Sequence, residues 1–82
     1  MTTTTDHTEA TISYYKAKGW HCVAQPTAGS DRIVFTHHYD GERRLMVTDT
    51  NGVIYTEAQF DNSDLGVVLF DNVVALAVEM TA

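Results

Sequence analysis

Cysteine, proline and cations are all scarce in this chain of 82 residues, and each scarcity removes a class of protein. With Cys22 alone, no internal disulfide forms, which excludes a small scaffold stapled in an oxidising compartment. No stretch combines a charged start, an apolar core and a small-residue cleavage site, so the expected setting is the reducing cytoplasm. The most apolar segment, Leu65 to Val78, is too short to cross a bilayer and is interrupted by Asp71 and Asn72, so no membrane contact is expected. Five Lys and Arg stand against eleven Asp and Glu, and the net charge of −6 argues against nucleic acid as a partner. Every Lys, Arg and His lies at or before Arg44, whereas from Leu45 onward Asp49, Glu57, Asp61, Asp64, Asp71 and Glu79 meet no base. Such an acidic half keeps a protein soluble, and it also attracts a partner with a basic surface through a long-range field that speeds association.

The apolar content of 44% is that of an ordinary globular protein. It predicts one α+β domain over residues 6–82 behind a disordered tail of residues 1–5, where threonines have nothing to bury. Asp6 and Glu9 have capping-box spacing, and a helix from about His7 to Lys18 follows, closed by Gly19. Its buried face is either the Thr8, Ile12, Tyr15 stripe or the smoother Ala10, Ser13, Tyr14, Ala17 stripe. Trp20 to Gln25 alternates as a strand stopped by Pro26, the sole proline, and a loop runs to Ser30.

Two dipeptides organise the middle of the chain. Asp40-Gly41 and Asn51-Gly52 are the residues that two-residue hairpin loops with positive φ prefer, so Arg32–Tyr39, Glu42–Thr50 and Val53–Phe60 read as an antiparallel meander. Two-residue loops pair Phe35 with Met46, His37 with Arg44 and Thr48 with Tyr55 on one face. The other face pairs Val34 with Val47, Leu45 with Ala58 and Asp49 with Ile54, with Arg32 and Asp49 as a cross-strand ion pair. Val34, Leu45, Val47, Ile54, Ala58 and Phe60 are aliphatic enough to form the core under a C-terminal helix. Phe35, His37, Tyr39, Arg44, Met46 and Tyr55 form a mixed aromatic face that the first helix either covers or leaves open for binding.

Asp61-Asn62-Ser63-Asp64, bracketed by Phe60 and Leu65, resembles a helix N-cap with a hydrophobic staple. Beyond it Asp64, Asp71, Asn72, Ala75 and Glu79 gather on one stripe of a helix reaching about Met80. The competing reading makes Asp71-Asn72 a hairpin turn between valine-rich strands, because Gly66 weakens a helix. An apolar sector wider than half the circumference means deep burial, or contact with a partner or a second copy of the chain.

Catalytic and metal patterns fail at the residues they need. Asp31 and the following strand have the outline of a metal-dependent nuclease core, but no lysine follows Lys18. His21, Cys22, His37, His38 and Asp40 lack ligand spacing, and neighbours on a strand point to opposite faces, so no metal site and no cofactor are expected. The reading is therefore a non-catalytic protein-binding module, a small acidic regulator or inhibitor that docks on a larger protein complex. It would use the aromatic face or an acidic surface of Glu57, Asp61, Asp64, Asp71 and Glu79 that imitates nucleic acid phosphates before a cationic groove. The alternatives are a single-stranded nucleic acid binder stacking bases on Phe35, Tyr39 and Tyr55 beside Arg43 and Arg44, and a small enzyme with an unrecognised site.

Overall fold

The computed structural model describes residues 7–26 and 30–81. The expected tail, the Asp6 half of the capping box and residues 27–29 of the loop lie outside the described residues. The elements run α1 (Thr8–Ala17), β1 (His21–Ala24), β2 (Ile33–Tyr39), β3 (Glu42–Thr48), β4 (Ile54–Asp61) and α2 (Asp64–Thr81). The strands form one open antiparallel sheet in the order β1-β2-β3-β4, which makes the chain the expected α+β domain of helix, meander and helix. Among the described residues no helix is long and apolar enough to cross a membrane.

Local chemistry explains each boundary. Helix α1 ends in a Schellman motif: Gly19 takes φ 97°, its N–H donates to Lys16 O at 3.0 Å, and Trp20 N–H donates to Tyr15 O at 3.0 Å. That reversal brings Trp20 into one cluster with Tyr15 and leads into β1. At the other end of the chain, Ser63 is the cap of α2, its hydroxyl oxygen accepting the Gly66 N–H at 3.0 Å. The expected staple does not form, because Leu65 points into solvent and Phe60 packs instead on Phe70, ring centroids 5.8 Å apart. The valine-rich stretch is helix throughout, and no hairpin turn occurs at Asp71-Asn72.

The β2–β3 register is the expected one, from Tyr39 opposite Glu42 to Ile33 opposite Thr48. The loops differ in backbone type from the expected positive-φ pair, since among the described residues only glycines adopt positive φ, Gly41 at 78° and Gly52 at 88°. Asp49 N–H donates to Val53 O at 2.9 Å and Gly52 N–H to Asp49 O at 3.2 Å, so the β3–β4 loop holds three residues, Thr50, Asn51 and Gly52. The Asp49 carboxylate stabilises it by accepting the Asn51 and Val53 N–H groups at 2.8 and 2.9 Å.

That extra residue shifts the pairing near the loop. Thr56 stays opposite Val47 and Ala58 opposite Leu45, but Thr48 faces Ile54, leaving Tyr55 as a bulge. Two expectations are corrected as a result. Ile54, expected in the core, is 45% exposed, and Tyr55 lines the α2 side of the sheet instead of the α1 side. A second irregularity between Cys22 and Ala24 puts Cys22 with the α1 cluster and Ala24 with the α2 cluster, where strict alternation had them together.

The sheet is covered on both faces. Helix α1 closes over Trp20, Ile33, Phe35 and Met46 with Ile12, Tyr15 and Cys22, so its Thr8–Ile12–Tyr15 stripe is the inward one. Helix α2 closes over Val34, Leu45 and Val47 with Phe70, Ala77, Val73, Val74 and Phe60.

Gly66 is where α2 meets the end of β4. A Cβ there would overlap both the carboxylate and the backbone carbonyl of Asp61. The Gly66→Ala substitution should therefore destabilise the domain by about 1–3 kcal/mol in chemical denaturation, although Ala favours an exposed helix over Gly by about 1 kcal/mol. A more stable variant would show that the close approach does not exist.

Candidate protein-binding surfaces

Two helices and one bulge redistribute the residues expected on the aromatic face. Phe35 is 0% and Met46 1% exposed, because α1 lies over them. The helix is held there by Tyr15, whose ring sits 5.2 Å from that of Phe35 and whose hydroxyl donates to Gly52 O at 3.1 Å. Thr11 adds a second tie, its hydroxyl donating to Thr50 O at 2.9 Å. Phe35 and Met46 are thus core residues and present nothing to a partner, which corrects their assignment to a docking face.

His37, Tyr39 and Arg44 do come together, beyond the reach of α1. The Tyr39 ring stacks on His37 at 3.8 Å with 7° between planes, Trp20 meets His37 edge-on at 5.3 Å, and the Arg44 guanidinium lies 4.8 Å above Tyr39. Arg44 is also paired with Glu42 at 3.0 Å, and Glu42 accepts a further hydrogen bond from Gln59 Nε2. The cation is therefore balanced within the row, and His37 Nδ1 is buried without a hydrogen-bond partner.

Tyr55 stands apart from that row. Its hydroxyl donates to Asp31 Oδ2 at 2.7 Å, which raises its pKa, and the Arg32 guanidinium lies 4.7 Å over its ring. This cation–π contact replaces the expected pairing of Arg32 with Asp49, whose carboxylate is occupied by the loop. Arg43 lies 5.9 Å over Phe70 on the α2 side. The base-stacking set of Phe35, Tyr39, Tyr55, Arg43 and Arg44 is therefore spread over both faces and the interior.

The acidic residues stay at the surface. Asp61, Asp64, Asp71 and Glu79 are exposed, and neither β4 nor α2 carries a Lys or Arg. Asp61 accepts hydrogen bonds from the Ser63 hydroxyl and N–H, which hold its carboxyl below the usual range. Glu57 is exposed but lies opposite Met46 on the α1 side of the sheet, so it does not join the α2 carboxylates.

Beside these acids lies an apolar surface. Leu65, Val68, Leu69, Leu76 and Met80 are all exposed along α2. The last two border a groove of about 400 Å³ between α2 and β4, which is lined also by Val73, Thr56 and Tyr55. The signal was visible in the width of the apolar sector of α2. Which part of that sector would stay in solvent was not visible, because α1 and α2 compete for the two faces of one small sheet.

Among the described residues no group of three or more His, Cys, Asp or Glu converges on a point that could hold a metal ion. Burial raises the Cys22 thiol, which disfavours the thiolate, and its Sγ donates to Ala24 O at 3.5 Å. Compared with known proteins, the chain matches no family model, no curated protein and no solved structure.

Tyr15 offers a test of how α1 is held. Burial, reinforced by the negative fields of Tyr14 and Glu57, raises its pKa above 10.0. A raised phenol contributes stability that is complete below its unfolded pKa and is lost as pH climbs through the folded one. Tyr15→Phe should cost about 0.5–1.5 kcal/mol at neutral pH through the lost hydrogen bond. The gap between variant and wild type should narrow above pH 10.0, read by denaturation at stepped pH. A gap that widened there would overturn the burial of this phenol.

Proposed function

We propose that the chain is a non-catalytic protein-binding module, a small acidic regulator or inhibitor acting in the cytoplasm on a larger protein with a basic surface. The observation that carries this reading is the outer arc of α2, where Asp64, Asp71 and Glu79 are exposed with no cation on the same helix or on β4. Uncompensated carboxylates on a rigid helix make a field that steers a cationic partner into register. Val68 lies within that arc and adds apolar contact between the charges. A cationic groove built for phosphates is one partner surface of this kind.

The reading is tested with the intact chain as bait at low ionic strength, followed by measurement of the captured protein's dissociation constant. Raising salt from 50 to 300 mM, on the order of a halving of the screening length, should weaken binding at least tenfold. Charge reversal in Asp64→Lys/Asp71→Lys/Glu79→Lys should do the same, while Glu9→Lys on α1, which covers the opposite face of the sheet, leaves it unchanged. Insensitivity to both would sink the acidic-surface reading. A gel shift of short oligonucleotides by the free chain would favour direct nucleic acid binding instead.

A further inference from the structure

Strand β4 is one of the two edges of the sheet and the longer of them, and it lacks the lysines and prolines that usually protect such an edge. We propose that this edge pairs with β4 of a second copy of the chain, giving a two-fold dimer with one eight-stranded antiparallel sheet and the two α2 helices side by side on it.

The register follows from the residues. The two-residue β2–β3 loop closes on Tyr39 and Glu42, and antiparallel alternation from that pair directs the backbone groups of Thr56, Ala58 and Phe60 toward β3. The N–H and C=O groups of Glu57 and Gln59 are therefore left facing outward. A two-fold axis normal to the sheet keeps each face continuous, so only residues of one face meet. Centring it on Glu57 sets two glutamates opposite each other, and centring it on Gln59 sets Glu57 against Asp61. Centring it on Ala58 sets Glu57 against Gln59 and Thr56 against Phe60, with no like charges directly opposed.

Helix α2 fits the same axis independently. It crosses all four strands, touching β3 and β4 most. The two-fold turns the β4-side flanks of the two helices toward each other across the paired strands. The flank of α2 that carries Val73, Leu76 and Met80 is the one facing β4, as the lining of the groove shows. Phe60 packs on Phe70, while Thr56 shares the groove with Val73, Leu76, Ala77 and Met80, so the level of Ala58 falls near the middle of α2. The exposed apolar residues on that flank are symmetric about the same point: Leu69 falls opposite Leu76 of the second copy, and Leu65 opposite Met80. Asn72 sits where this flank meets the outer arc, and Asp64, Asp71 and Glu79 lie on that arc, turned toward solvent.

The area is adequate for a second copy. Leu65, Leu76 and Met80 are 68%, 60% and 62% exposed, and Leu69 and Tyr55 are about half exposed. At on the order of 100 Å² of apolar surface each, these five supply roughly 500 Å² per copy before the paired strands are counted, against about 800 Å² per partner in a standard interface. The inference stands apart from the proposed basic partner, because the acidic arc remains outside the dimer contact.

Sedimentation of the intact chain at about 100 μM should give a dimer that tightens as salt rises, since two copies of net charge −6 repel; a basic partner would show the opposite dependence. Leu69→Glu/Leu76→Glu should weaken the dimer at least tenfold while circular dichroism of the monomer is unchanged, both residues being exposed in one copy. Gln59→Glu should weaken it and Gln59→Lys strengthen it. Ala58→Cys should cross-link to itself under mild oxidation, since facing residues of a non-hydrogen-bonded pair lie about 4.5 Å apart at Cα, within disulfide reach. A wild-type chain that stays monomeric at this concentration overturns the dimer and leaves the edge to a different chain. A dimer indifferent to the Leu substitutions, or one that Ala58→Cys does not cross-link, overturns this interface. In none of these cases is the acidic-surface reading affected.

Discussion

The rest of the structure depends on burying β2 from both sides. Ile33, Val34, Phe35 and Thr36 are consecutive and all buried, although neighbours on a strand point to opposite faces. A strand apolar on both faces needs a layer above and a layer below, and among the described residues two helices supply them. Each helix is therefore committed to one face, α1 over Phe35 and Met46 and α2 over Val34, Leu45 and Val47.

That commitment leaves an asymmetry along the sheet. The middle strands are sealed, while β4 is exposed over most of its length and only partly overlain by α2. A domain of this size has too little chain to wrap its periphery as well as its centre. Several of the apolar residues that remain outside, Leu65, Leu69, Leu76 and Met80, lie where the covering runs out, on the β4 flank of α2. Contiguous apolar surface of this kind marks interaction sites on small proteins.

Charge follows a parallel division. The arginines are engaged locally, Arg44 by Glu42 and by the Tyr39 ring, Arg32 and Arg43 by the rings of Tyr55 and Phe70. The carboxylates of α2 are exposed, on a helix that carries no Lys or Arg. Two of the aromatic residues that resembled a binding platform, Tyr39 and Tyr55, thus serve as seats for arginine.

By itself the sequence determined the order and type of the elements, the β2–β3 register and the acidic stripe of α2. These depend on interactions within a few residues: hydrophobic period, turn glycines, the break at Pro26 and the run of acids without bases. Tertiary structure decided the rest. The third loop residue, Thr50, is indistinguishable from strand until Asp49 turns back on Asn51 and Val53, and that single addition moved Tyr55 to the other side and Ile54 out of the core. Whether Phe35 and Met46 were surface or interior rested on the hydroxyls of Thr11 and Tyr15 reaching carbonyls nearly forty residues away, a contact that no local pattern encodes.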